Sequence, residues 1–129
     1  MSNLANVNLV KVMRPAAAFT ASAASTAVDM TDFQGPNVLF TLTSVRTSGS
    51  LTAHVQGNPA GDSGATSFYS VGTFGQTAYS AVETSTGTIQ TLELDICKFP
   101  GGKAQFYATK DGTSPMSQVL GCTVIGHHN

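Results

Sequence analysis

The 129 residues are enough for one domain, with 41% apolar residues to fill a core and only 10% charged ones, against about 25% in an ordinary soluble domain. Thirteen Ser, seventeen Thr and thirteen Gly stand beside six basic and seven acidic side chains, for a formal net charge of -1. These values exclude a basic nucleic-acid binder, an acidic disordered tail and a charged helical bundle or coiled coil.

What remains is a Thr/Ser/Gly/Val-rich β protein, and the chain reads accordingly. Residues 1–28 are expected to form an N-terminal arm or first strand, and residues 29–129 a β-sandwich domain. Asn3 to Val12 alternates loosely, and Arg14-Pro15 is expected to break any regular element, because the residue before Pro is held extended. Ala16 to Ala27 is small and uncharged, with no amphipathic stripe. Asp32 to Asn37, which contains Gly35-Pro36, reads as a turn. Val38 to Arg46 reads as a strand with Val38, Phe40 and Leu42 on one face. Thr47 to Ser50 is a hairpin turn, and Leu51 to Gln56 is the partner strand. In that partner Leu51, Ala53 and Val55 point inward and Thr52, His54 and Gln56 outward. A loop over Gly57 to Gly64 precedes a short strand at Ser67 to Val71 and a Gly-rich stretch with Phe74 and Tyr79. Ile89 to Ile96 alternates, with Leu92, Leu94 and Ile96 on one face and Glu93 and Asp95 on the other. Pro100 to Gly102 turns the chain, Ala104 to Thr109 is a strand around Phe106, and Asp111 to Pro115 turns it again. Gln118 to Ile125 closes the chain as a strand apolar on both faces. About seven or eight short strands at this spacing predict an all-β antiparallel β-sandwich or jelly roll.

No stretch approaches the roughly 18 apolar residues of a membrane helix. Met1 to Asn8 has no basic segment ahead of an apolar one, so no secretory signal is expected. Cys97 and Cys122 form no CxxC pair. Both lie in apolar strand patterns and are expected as buried thiols, with a disulfide open if their strands lie side by side. Synthesis in a reducing cytoplasm is expected.

Catalysis needs titratable groups close together, and the inventory is thin. His54 is a lone outward strand position, expected as a hydrogen-bonded or solvated polar residue. His127 and His128 are adjacent, so an extended chain points them to opposite sides, and further metal ligands are lacking. Nothing local supports a Cys97–His54 nucleophile and base. Glu93 and Asp95 share a strand face about 7 Å apart. That spacing admits a glycosidase-like pair or calcium ligands, with a solvent-facing edge the plainer expectation. Asp29 and Asp32 are expected to bond backbone amides of their turn. The loop 57–64 has neither the Gly-Lys-Ser/Thr ending of a phosphate loop nor the acidic spacing of an EF-hand. The chain carries no GxSxG and no HExxH. The expectation is therefore a protein with no catalytic residues, no cofactor and no metal, whose neutral surface is suited to packing against other subunits.

Three stretches carry a resemblance to a family. They are Ser25-Thr26-Ala27-Val28-Asp29-Met30-Thr31-Asp32-Phe33; the strand pair Val38 to Gln56; and Thr91-Leu92-Glu93-Leu94-Asp95, followed by Gln105-Phe106-Tyr107 and a closing strand ending Val124-Ile125-Gly126. Over residues 25–126 the chain resembles the small β-sandwich decoration, or cement, proteins of tailed bacteriophages. It departs where relatives often place Arg near the penultimate strand, since Lys103 and Lys110 bracket that strand here. The resemblance implies a virion protein on the outer capsid surface that stabilises subunit junctions. The implied partners are the major capsid protein and further copies, as a dimer or trimer, with no nucleic acid and no membrane. It also implies an arm that contacts a neighbour, for which the candidate residues are Leu9, Val10, Val12, Met13 and Phe19. The alternative is that these residues complete the domain's own sandwich. Other roles in view are a phage tail or neck component and a carbohydrate-binding module, for which Tyr69, Tyr79 and Tyr107 are the available aromatics.

Overall fold

A computed structural model describes residues 8–48, 50–62, 64–74, 88–111 and 117–128. They form nine strands: β1 (Asn8–Phe19), β2 (Ala23–Ala24), β3 (Val28–Asp29), β4 (Phe33–Ser48), β5 (Ser50–Gly57), β6 (Tyr69–Thr73), β7 (Thr88–Asp95), β8 (Lys103–Asp111) and β9 (Ser117–His128). A 3-10 turn, Ile96–Lys98, follows β7. One sheet has the order β1-β9-β4-β7. The other has the order β2-β8-β5-β6, with β3 also on β8. Every pairing is antiparallel. The chain is the all-β sandwich its alternation predicts, and β9 lies between β1 and β4, in agreement with its two apolar faces.

The core is the sum of the inward positions. Val38, Phe40 and Leu42 of β4 and Leu120, Cys122 and Val124 of β9 are buried. So are Leu51, Ala53 and Val55 of β5 and Ala104, Phe106 and Ala108 of β8 in the opposite sheet. Phe99 sits 5.7 Å from Phe40 and Phe74 6.3 Å from Phe106, ring centre to ring centre, closing the layer from the loops. Each large apolar side chain buried in this way contributes roughly 1.5–3 kcal/mol. Among the described residues, two polar side chains share this interior without hydrogen-bond partners: the Ser44 hydroxyl and the Gln118 carboxamide.

Several sequence expectations change. The strand at Leu51 to Gln56 is not the hairpin partner of Val38 to Arg46: β4 pairs with β7 and β9 and β5 with β6 and β8, so the chain crosses from one sheet to the other between them. Arg14-Pro15 does not end a strand, because β1 is an edge strand whose open side requires no N–H. Register shifts between Val12 and Arg14 and between Arg14 and Ala17 absorb the extra residues. The turn expected over 32–37 ends sooner. The chain turns at Thr31 and Asp32, and β4 already begins at Phe33. Gly35-Pro36, a cis pair, falls inside the irregular stretch between Gln34 and Leu39. The short strand expected at Ser67 to Val71 forms two residues later, as β6. Residues 1–7, Tyr79 and most of the turn expected at 111–115 lie outside the described residues.

A buried side chain ties the loop after β5 to the turn before β8. Asn58 is fully buried, donates from Nδ2 to the Asp62 carbonyl at 2.8 Å and accepts at Oδ1 from the Lys103 amide at 3.0 Å. Its own carbonyl accepts from the Gly101 amide. Gly101 has to be glycine here, because a Cβ would come within 2.4 Å of the Asn58 carboxamide. Asp62 then folds the loop on itself. Its carboxylate accepts from the Thr66 and Ser67 amides and the Thr66 hydroxyl, which holds its pKa below the usual carboxylate value.

Candidate interaction face

The outward residues of the four-stranded sheet lie in rows fixed by register. Val10, Ile125, Leu39 and Glu93 make one row, and Val12, Thr123, Thr41 and Thr91 the next. Gly121, Thr43 and Ile89 follow, then Ala18, Val119 and Val45. Alternation dictates this outcome: once β4 and β9 turn their even positions to the core, their odd positions must face out. Four of these aliphatic side chains are left largely exposed: Val10 at 55%, Val12 at 56%, Val119 at 43% and Ile89 at 69%. Charge is confined to the margins, with Glu93 and Asp95 on β7 and Arg14 on β1. Thr123, Thr41, Thr91, Gly121 and Thr43 lie between the aliphatic side chains, so the face is a neutral mixture of aliphatic and hydroxyl groups.

Two shallow depressions open on this sheet. One, about 320 Å3, is lined by Val12, Arg14, Pro15, Thr41, Thr43 and Gly121 among others. Gly121 admits the β1 bulge: a Cβ there would stand 3.0 Å from the Thr43 hydroxyl and 3.3 Å from Ala16. The other, about 290 Å3, has Leu39 and Ile125 in its lining and Asn8, Asn37, Glu93 and His127 as its polar groups. Asn37 donates from Nδ2 to Glu93 Oε1 at 3.0 Å. The sequence offered no signal for this pair, whose partners are 56 residues apart.

The five candidate arm residues divide by this geometry. Val10 and Val12 stand on the outward face, while Leu9 packs against the core and Met13 and Phe19 are buried in it. Met13 Sδ lies 4.0 Å from the Cys122 thiol. A partner contact through Met13 or Phe19 would require β1 to leave the sheet. Lys11 fastens β1 at the open edge. Its ammonium bonds the Asp29 carbonyl and the Asp32 carboxylate, the latter at 2.6 Å, and lies over the Phe33 ring. Asp32 therefore pairs with a distant lysine rather than with its own turn. Asp29 does bond locally: the Thr31 hydroxyl and amide hold its carboxyl below its usual value.

The remaining titratable groups are spread over separate elements. Asp95 accepts from the Cys97 amide and caps the 3-10 turn, with its pKa lowered by that bond, so the carboxylate is already engaged beside Glu93. Cys97 is exposed, which corrects the expectation of two buried thiols. It lies in the 3-10 turn beyond the end of β7, outside the strand alternation. The adjacent Asp95 raises its pKa. Cys122 is buried and free, and burial pushes its thiol up to about 12. His54 bonds Thr73 and Ser70 on the other sheet, and the described residues do not join it to Cys97. His127 and His128 are both exposed near the end of β9. Among the described residues no three His, Cys, Asp or Glu side chains gather where a metal ion could bind, and no helix is long and apolar enough to cross a membrane.

The two sheets define an antiparallel β-sandwich. No family model matches the sequence, and no curated protein does. Solved structures share the fold. A xylan-binding module, CBM15, superposes with a TM-score of 0.55 at 10% identity, over 95% of this chain and 97% of that one. The infectious bursal disease virus Gt strain structure gives 0.50 at 12% identity, over 96% of this chain and 33% of that one. This chain thus spans about a third of the length of the viral chain it matches. The SPBc2 prophage-derived protein YomS gives 0.49 at 12% identity, over 92% of each chain. At these identities the likeness is one of fold.

Proposed function

We propose that this protein is a non-enzymatic structural subunit of a virion, seated on the outer surface of a tailed-phage capsid through the outward face of its four-stranded sheet. The observation that carries the reading is the largely neutral outward face of that sheet, where Val10, Val12, Val119 and Ile89 stand exposed among Thr41, Thr43, Thr91 and Thr123, with Glu93 and Arg14 at its margins. A fold shared with part of a chain in the infectious bursal disease virus structure and the resemblance to cement proteins support it. Size explains why such a face suits a lattice. Four strands and seven residues of β4 make a patch of about 19 Å by 20 Å, or roughly half of the about 800 Å2 per partner in a stable interface. One such contact is weak, but a shell repeats the junction and offers many at once. The partners are then the major capsid protein and further copies of this chain, as a dimer or trimer.

The test is co-sedimentation of the purified protein with empty shells of its major capsid protein, beside Val10→Asp and Val12→Asp variants. Binding by the parent chain, weakened about tenfold or more when a carboxylate must be buried against the shell, is the expected result. Equal binding by the variants would refute the face. A protein that ignores shells and fractionates with tails would instead be a tail or neck component.

A further inference from the structure

The outward face of the other sheet has a different chemistry. Register sets three pairs side by side across β5 and β8: Thr52 with Thr109, His54 with Tyr107, and Gln56 with Gln105. Gln105 Nε2 donates to Gln56 Oε1 at 2.7 Å. An amide pair joined by one such bond keeps amide N–H donors and a carbonyl acceptor to offer, whichever way the two are turned. Nδ1 of His54 lies 3.2 Å from the Thr73 hydroxyl and 3.4 Å from that of Ser70. These two hydroxyls engage Nδ1, and in either neutral tautomer Nε2 takes the complementary donor or acceptor role. The His54 and Tyr107 rings lie 6.4 Å apart, tilted by 31°. On the far side of β8 the residue facing Tyr107 is Ala24, which is too small to cover the ring. Among the described residues the Tyr107 hydroxyl makes no hydrogen bond. None of these six residues carries a formal charge, and Lys103 at the end of the row faces Asp29 at 3.9 Å.

We propose that this face binds a neutral saccharide chain. Sugar hydroxyls both donate and accept, and so do the groups offered here. The aromatic rings suit the C–H face of a pyranose. A phosphate or sulfate ligand would call for clustered cations, and a bound metal for clustered carboxylates. The three pairs form a track about 14 Å long, suited to an oligosaccharide rather than a single ring. The site lies on the sheet opposite the capsid-docking face, so it stands independently of that reading and would leave glycan recognition open on a docked subunit.

The test titrates the full chain with neutral xylo-, cello-, manno- and malto-hexaose and with acidic oligogalacturonate, by calorimetry and ligand-observed NMR. Binding of at least one neutral chain in the micromolar to millimolar range is expected. Tyr107→Ala and Gln105→Leu should each weaken it by about tenfold, with melting curves to verify folding. If Tyr107→Ala does not fold, Thr109→Val and Gln105→Leu carry the test. Val12→Asp should leave glycan binding unchanged, which separates this site from shell attachment. No binding to any neutral chain at about 5 mM, a preference for the acidic one, or binding untouched by every folded face variant would overturn the proposal.

Discussion

Replacing Asn58 by Ala removes a carboxamide that bridges two stretches of backbone 41 residues apart (Asp62 to Lys103) while leaving both of its partners in place. The Asp62 carbonyl and the Lys103 amide each lose a bond of about 3 Å in a partly buried setting. An unsatisfied group of this kind costs roughly 1–3 kcal/mol, so Asn58→Ala should destabilise by about 2–4 kcal/mol. Gly101→Ala should destabilise as well, since its new Cβ would meet the carboxamide at 2.4 Å, and overpacking costs about 1–3 kcal/mol. Shortening Asn58 makes room for that Cβ, so the two changes are coupled. The double variant should be less destabilised than the sum of the singles by about 1 kcal/mol or more. Urea unfolding of all four proteins at one pH, followed by far-UV circular dichroism, gives the cycle. A loss below about 0.5 kcal/mol for Asn58→Ala, or strict additivity, would refute the reasoning.

Three other outcomes follow from named groups. Ser44→Ala and Gln118→Met each replace a buried, unpartnered polar group by an apolar one and should raise stability by about 0.5–2 kcal/mol in the same urea assay; destabilisation would contradict it. Titration of the native protein with a thiol reagent should modify Cys97 alone, slowly at neutral pH because its pKa is raised, and denaturation should release Cys122 as a second equivalent. Asp29, Asp62 and Asp95 all have carboxyls lowered from 3.8, chiefly by hydrogen bonds from the Thr31 hydroxyl, the Ser67 amide and the Cys97 amide. Their contribution to stability is therefore present above pH 3.8 and is lost as pH falls through the lowered folded values. A melting temperature that is level from pH 7 to about 4 and then falls is expected, with a smaller fall in Asp62→Asn.

Local alternation settled which side of each strand is apolar. Val38-Phe40-Leu42 and Leu51-Ala53-Val55 are buried as the pattern requires, because a period of two leaves a strand only two ways to face. Turn residues marked the breaks, except where an edge strand tolerates Pro15 and an irregular β4 absorbs Gly35-Pro36. The outward composition was equally legible: Thr, Val and Ile on one sheet and Thr, His and Gln on the other follow from reading the positions between the core residues.

Which strands lie side by side was decided only by the folded chain. Residues 8–19 become the edge partner of β9 more than a hundred residues later, which turns Met13 and Phe19 into core and leaves Val10 and Val12 as surface. Asn58 meets Lys103, Asn37 meets Glu93, Lys11 meets Asp32, and His54 meets Tyr107 by the same long-range pairing. Such contacts leave no trace in local spacing. Each depends on the register of strands distant in sequence, and that register is selected by how two apolar faces fill a shared interior rather than by any one segment.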